Sequence, residues 1–399
     1  MIPTTPIDPK DIIRNMSLDS LCETADQYYR RIADATHLLA KPFASFVDGP
    51  EVLYKLGLVL SGLQLSKGFR VLDFACGSCW LSRILNQFGC STISLDVSNH
   101  ALDLGRQLFA LQPVFGGTIS PPEFIHFDGK HINVPDGSVD RIVCFEGFHH
   151  VPNQQQILSE FSRVLKEGGI AGFCEPGRQH SQAPQSQYEM ANYNVLENDV
   201  VIEDVIKLAL ECGFGGAYLK PMTEIHSVIT PEDYQQILGE RRLPEYLVAS
   251  SLNAMHAGTL FFLVKGNLQR DSRSHIGLSH RIVLAGTEFQ VSRNSHFTIE
   301  LEAVNTGAAR WLAETANDVG AVKVGIHLYT ASRQLVNLDF HRWKLTRNVD
   351  PGEKFLASIE VPAPSEEGEY VLAVDLVSEG VCWFENIGSQ PILVSLRVS

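Results

Sequence analysis

The stretch Val71-Leu72-Asp73-Phe74-Ala75-Cys76-Gly77-Ser78-Cys79 decides how the first two-thirds of the chain is read. Val71 to Phe74 is a short apolar strand with an acid near its end, and small residues follow at alternate positions. Such a turn lets the backbone pass close to a ligand at the carboxyl ends of parallel strands. The next residues predict a helix, because Leu81, Ile84, Leu85 and Phe88 share one face and Gly89 suits its C-terminal stop.

Outward from this turn, strands and helices alternate. Strands are expected at Thr92–Asp96, Glu123–Phe127, Arg141–Phe145 and Ile170–Cys174. Ser98 is positioned to cap a helix after the second strand. Ile157, Phe161, Val164 and Leu165 mark another helix, ended by Gly168-Gly169. Ile202, Val205, Ile206, Ala209 and Leu210 follow the spacing of an amphipathic helix that Gly213 stops. Two further strands, Ala217–Leu219 and Thr259–Val264, close the unit around an insertion at 222–258. The pattern predicts an α/β fold with a doubly wound, mostly parallel, seven-stranded Rossmann-like sheet over residues 57–266. Residues 1–56 read as a helical N-terminal cap, in which Tyr28 and Tyr29 either close over a bound ligand or, the favoured expectation, pack the cap on the sheet.

Beyond a polar linker at 267–274 the period becomes two. Phe297, Ile299, Leu301 and Ala303 alternate with polar residues, as do Val322 to Leu328, Phe355 to Val361 and Ile392 to Val398. Short strands separated by turns such as Asp350-Pro351-Gly352 predict an all-β, immunoglobulin-like sandwich over 275–399. Core burial is expected for at least two of its three tryptophans, Trp311, Trp343 and Trp383.

The formal net charge of −14 and the lack of a basic patch argue against a nucleic-acid partner. No apolar run has the length of a membrane span, and the first residues do not read as a signal peptide. The eight cysteines then read as reduced thiols of a cytoplasmic protein, with Cys76 and Cys79 an incidental pair in the turn.

Three acids stand at strand ends: Asp73, Asp96 and Asp128, the last beside Gly129. A carboxylate at the second strand's end suits the two hydroxyl donors of a ribose, and one after the third suits an adenine amino group. The order of these landmarks resembles the class I S-adenosylmethionine (SAM)-dependent methyltransferases from about Gly57 to Lys265. Asp73 to Cys79 resembles that family's D/E-x-G-x-G-x-G loop, with Ala75 in place of the first glycine and Cys79 in place of the third. Asp140 to Val151, with His149-His150, resembles its fourth strand and the His-His segment frequent in small-molecule members, and Val164 to Gly169 the turn before its fifth strand. The resemblance implies SAM as cofactor, held by Asp73, Ala75, Cys76, Gly77, Asp96, Val97, Asp128, Gly129 and Glu146. A G-x-G-x-x-G dinucleotide turn is absent.

Methyl transfer to a hydroxyl needs alignment and removal of a proton. His149, His150, Glu146 and Glu175 are the candidate catalytic groups. His126 and His131 do not complete a compact metal set with the His-His pair, so no metal ligand is expected. Segments 305–307, 325–329 and 375–384 are similar to the C-terminal sandwich of polysaccharide-exporting ABC transporters. That similarity implies a sugar or glycan-precursor acceptor, with glycan or protein as a partner of the sandwich; a catalytically silent SAM-binding scaffold is the alternative. A small molecule remains an acceptor class, and a homo-oligomer is left open.

Overall fold

The computed structural model describes residues 6–66, 68–114, 121–223, 228–267, 270–315 and 318–399. The chain divides into two compact units, Met1–Leu268 and Gln269–Ser399. Residues 224–227 of the expected insertion, and Leu268 and Gln269 of the expected linker, lie outside the described residues.

The first unit is built on seven strands: β1 Arg70–Phe74, β2 Ser91–Asp96, β3 Glu123–His126, β4 Val139–Phe145, β5 Leu165–Pro176, β6 Phe214–Leu219 and β7 Gly258–Lys265. Their order across the sheet is β3-β2-β1-β4-β5-β7-β6. β7 alone runs antiparallel to its neighbours β5 and β6, and the other pairings are parallel. The central strands are buried on both faces, as their near-continuous apolar sequences require. One face packs Phe74, Phe161, Phe173 and Phe261 into a single cluster. The other packs Leu63, Leu81, Leu85 and Phe262.

Local signals act where the sequence put them. Ser98 accepts the Ala101 N–H at 3.1 Å and caps the helix Asn99–Leu111. Gly89 and Gly213 adopt left-handed φ of +83° and +92° just past their helices. The stop at Gly168-Gly169 comes late, however. The helix Gln154–Val164 ends earlier, and β5 starts at Leu165. The helix Gly49–Leu63 runs straight through position 56/57, so the cap and the sheet are joined within one helix. Among the described residues no helix is long and apolar enough to cross a membrane.

The second unit holds β8 His280–Leu284, β9 Glu288–Val291, β10 His296–Asn305, β11 Val322–Thr330, β12 Leu335–Lys344, β13 Lys354–Pro362, β14 Gly368–Ser378, β15 Cys382–Trp383 and β16 Ile392–Val398. One sheet has the order β13-β10-β8 and the other β12-β11-β14-β16-β9, with β15 on β14. Ile299, Leu301, Val324, Ile326, Ile359 and Leu376 from both sheets share one core. Of the three tryptophans only Trp311 lies fully inside it, against the expectation of two; Trp343 and Trp383 are half-buried, the latter against His327 with ring centroids 3.8 Å apart at a tilt of 40°.

Candidate active site

The turn after β1 folds as its alternating small residues imply. Ala75, Gly77 and Cys79 all take left-handed φ, at +54°, +52° and +58°. Glycine adopts this conformation without penalty, whereas alanine and cysteine are strained there. Ala75 and Cys79 therefore hold this backbone at a cost in strain. Cys79 is accommodated by a glycine elsewhere: a Cβ placed on Gly105, in the helix after β2, would fall 2.2 Å from the Cys79 sulfur. Cys76 and Cys79 bring their sulfurs within 3.4 Å inside the turn, both as free thiols.

The turn is fastened to the second strand. Gly77 donates its N–H to Asp96 Oδ2 at 2.9 Å, and Ser98 donates to Asp96 Oδ1 at 2.8 Å. Burial pushes the Asp96 carboxyl up in pKa, against the pull of these two bonds. The N-terminal helix Leu18–Arg30 lies across this end of the sheet. Its Asp26 accepts from the Ser98 hydroxyl at 2.7 Å and pairs with His100 and Arg30.

Beneath that helix is a cavity of about 280 Å³. Its wall is largely apolar, with Leu21, Phe74, Val97, Phe127 and Ile157, and carries Asp96, Glu146, His150, Asn153 and Glu189 as polar groups. A smaller cavity of about 100 Å³ is lined by Asp73, Cys76, Gly77, Ser78 and Trp80. Tyr29, Leu38, Lys41, Ala75 and Glu146 line both, so the two form one continuous depression at the carboxyl ends of the strands. An apolar depression with a few convergent polar groups at this place is the expected form of a small-molecule site.

On the far side of β4, Glu175 organises the His-His segment. Its buried carboxylate accepts the N–H groups of Gly147 at 3.0 Å, Phe148 at 2.8 Å and His149 at 3.2 Å, together with His149 Nδ1 at 2.8 Å. Burial raises the Glu175 carboxyl, and burial holds the His149 imidazole well below its ordinary pKa.

Residues 72–173 match the family model described as a methyltransferase domain. The matched residues lie within the first unit. Its region is 32% identical over 111 residues to the methyltransferase GfsG of Streptomyces halstedii, covering 27% of this chain and 37% of that protein. It is 32% identical over 110 residues to a demethylmenaquinone methyltransferase of Listeria monocytogenes, covering 27% of this chain and 44% of that one. A sterol 24-C-methyltransferase of Gibberella zeae is 24% identical over 222 residues, covering 53% of each chain. The chain thus spans less than half the length of the first two relatives.

Within the first unit, most of the residues named from sequence converge. Ala75, Asp96, Val97, Gly129, Glu146 and His150 line the large cavity, and Asp73, Cys76 and Gly77 the small one. Three expectations need correction. Asp128 is exposed, and its Oδ1 accepts the N–H groups of Lys130 and His131 at 2.8 Å, so it forms a turn and leaves the cavity wall to Phe127 and Gly129. Glu175 is sealed beneath the turn with its acceptors engaged, and it positions His149 instead of meeting a substrate. Tyr28 and Tyr29 do more than pack the cap, because both rings line the large cavity. The Tyr29 hydroxyl stands so close over Gly77 that a Cβ there would lie 2.8 Å from it.

Sequence reasoning missed Lys41, His180, Glu189 and Glu197. Lys41 and Glu189 line the cavity, while His180 Nε2 lies 2.7 Å from Glu197 Oε2 beside the His-His segment. None of the four belongs to a motif, and the fold alone brings them in.

Proposed function

We propose that the chain is a SAM-dependent methyltransferase whose acceptor is a hydroxyl group of a small molecule, with sugars and glycan precursors the favoured class. The observation that carries this reading is the Asp96 carboxylate on the wall of a capped, mainly apolar cavity, fastened to the left-handed turn 75–79. The residues fit the cofactor. Asp96 keeps acceptor capacity beyond its two backbone bonds for a ribose diol. Gly77 takes its left-handed φ without strain, and the Tyr29 hydroxyl of the cap helix stands where a side chain there would go.

SAM supplies an electrophilic methyl group on a positive sulfonium. The chain's own task is alignment of the acceptor oxygen and exclusion of water. Tyr28, Tyr29 and Leu21 of the cap helix close the cavity from above. Of the four catalytic candidates, Glu146 and His150 face the cavity, and the hydroxyl proton passes to one of them. Glu175 and His149 act through position, by fixing the turn that carries His150. We assign the second unit, an immunoglobulin-like sandwich in this reading, the binding of a glycan or protein partner.

The test is incubation of the full chain with methyl-labelled SAM and a panel of hydroxylated metabolites, free sugars and lipid-linked sugars. Label on a sugar oxygen is expected. Label on nitrogen or carbon acceptors alone would reject the hydroxyl assignment.

A further inference from the structure

A second chemistry is assembled beside the cavity, from residues that no sequence motif joins. His149, His150 and Glu197 each offer a ligand atom, and these atoms all lie within 4.8 Å of one another. The two imidazole rings stand with centroids 3.9 Å apart.

The surroundings of each group are those of a metal ligand. A ligating histidine normally donates its other ring N–H to a carboxylate or a backbone carbonyl, which fixes its tautomer and orientation. His149 Nδ1 lies 2.8 Å from the Glu175 carboxylate. His150 Nδ1 lies 2.6 Å from the Leu196 carbonyl. Both partners are acceptors, so in the neutral rings each Nδ1 carries the hydrogen and each Nε2 keeps a lone pair, that of His149 on the Glu197 side. Glu197 is held in turn by His180, whose Nε2 is 2.7 Å from Oε2.

The Glu197 side chain is only 5% exposed, its Oε1 makes no hydrogen bond of normal geometry, and the Glu189 carboxyl of the cavity wall stands beside the same carboxylate. His150 Nδ1, 3.4 Å from that oxygen, is already committed to Leu196. A buried carboxylate oxygen without a partner is costly unless a cation completes it. His149 Nε2 is 3.8 Å from Glu197 Oε2, too far for a hydrogen bond. Two tetrahedral ligands at about 2.1 Å from one ion stand roughly 3.4 Å apart, close to that separation.

We propose that His149, His150 and Glu197 bind one divalent first-row transition cation. Glu175, the Leu196 carbonyl and His180 hold the three ligands in place. Two imidazoles and one carboxylate form a borderline-hard donor set, suited to zinc, iron(II) or manganese and poorly suited to calcium. The site opens on the cavity, because His150 and Leu196 belong to its wall. If the methyl-transfer reading holds, an acceptor oxygen would meet the cation there, leaving Glu146 as the base.

The test uses cobalt(II) as a spectroscopic probe on the chelator-stripped full chain, without SAM, so it does not depend on cofactor binding. One equivalent should give visible d–d absorption without a thiolate-to-cobalt charge-transfer band. His150→Ala, which removes a ring 41% exposed, and Glu197→Gln should each weaken binding at least about tenfold, with folding checked by circular dichroism. A colourless titration at excess cobalt would overturn the proposal. So would a thiolate band, or unchanged binding in folded His150→Ala.

Discussion

The Gly77 N–H donates to Asp96 Oδ2 at 2.9 Å, which fastens the turn after β1 to the end of β2. This bond runs between two residues 19 positions apart and closes one wall of the depression. The backbone at 75, 77 and 79 is left-handed on both sides of it. The strain of Ala75 and Cys79 is thus kept where a ligand site needs a fixed turn.

That strain is measurable. Ala75→Gly removes a left-handed alanine at φ +54°. It is expected to stabilise the fold by up to about 1 kcal/mol in denaturant unfolding, after the greater freedom of glycine in the unfolded chain is counted. A clear loss of stability would show that the alanine methyl matters more for packing than its backbone costs.

Cys79 and Gly105 should behave as a pair. Gly105→Ala would force a methyl toward the Cys79 sulfur and should destabilise by about 1–3 kcal/mol. Adding Cys79→Gly should recover much of that loss, giving a coupling above about 0.5 kcal/mol in a double-mutant cycle. Strict additivity would mean that the helix shifts to relieve the contact.

Asp73 predicts a pH dependence. Burial pushes its carboxyl up to about 7, although the Ser82 hydroxyl donates to it at 2.6 Å. The unfolded carboxyl ionises near its ordinary 3.8, so between about pH 4 and 7 the native chain holds the extra proton. Stability should therefore fall as pH rises through that window. Asp73→Asn should flatten this part of the profile of unfolding free energy against pH; an unchanged slope would assign it to other groups.

Glu175→Gln tests the positioning role. The amide presents an NH2 group to N–H donors of Gly147, Phe148 and His149 that now meet carboxylate oxygens. A loss of about 1–3 kcal/mol is expected, because a buried donor loses its partner. Methyl transfer should fall through kcat with the SAM KM little changed. A rise in SAM KM alone would place Glu175 in cofactor binding instead.

Much of the first unit was legible because its strands carry continuous apolar runs and its helices begin and end on local signals. Ser98, Gly89 and Gly213 act within a few residues of themselves, and each does what its chemistry implies. Asp96, Gly77, Glu146 and His150 were legible for a related reason, since they sit at strand ends that the topology brings together. Asp128 misled because an aspartate before a glycine serves a turn as readily as a ligand, and here the Lys130 and His131 N–H groups claim it. Glu175 misled because a strand-end position does not say which way a side chain faces. His180 and Glu197 were invisible, since the segment between β5 and the helix Ile202–Glu211 has no periodicity that places them beside His149. Cys79 stands in place of a glycine because Gly105 opposite it makes the room, a contact between separate elements that spacing cannot encode.

In the proposed reading the cavity beside Asp96 holds the adenosine-bearing cofactor. Calorimetric titration of the purified chain with SAM and with S-adenosylhomocysteine tests it most directly, with Asp96→Ala as the comparison. Micromolar binding of both ligands, weakened at least about a hundredfold in a folded Asp96→Ala chain, is expected from the loss of a charged hydrogen-bonding partner. Absence of binding by the folded wild-type chain, or equal affinity in the variant, would contradict the account.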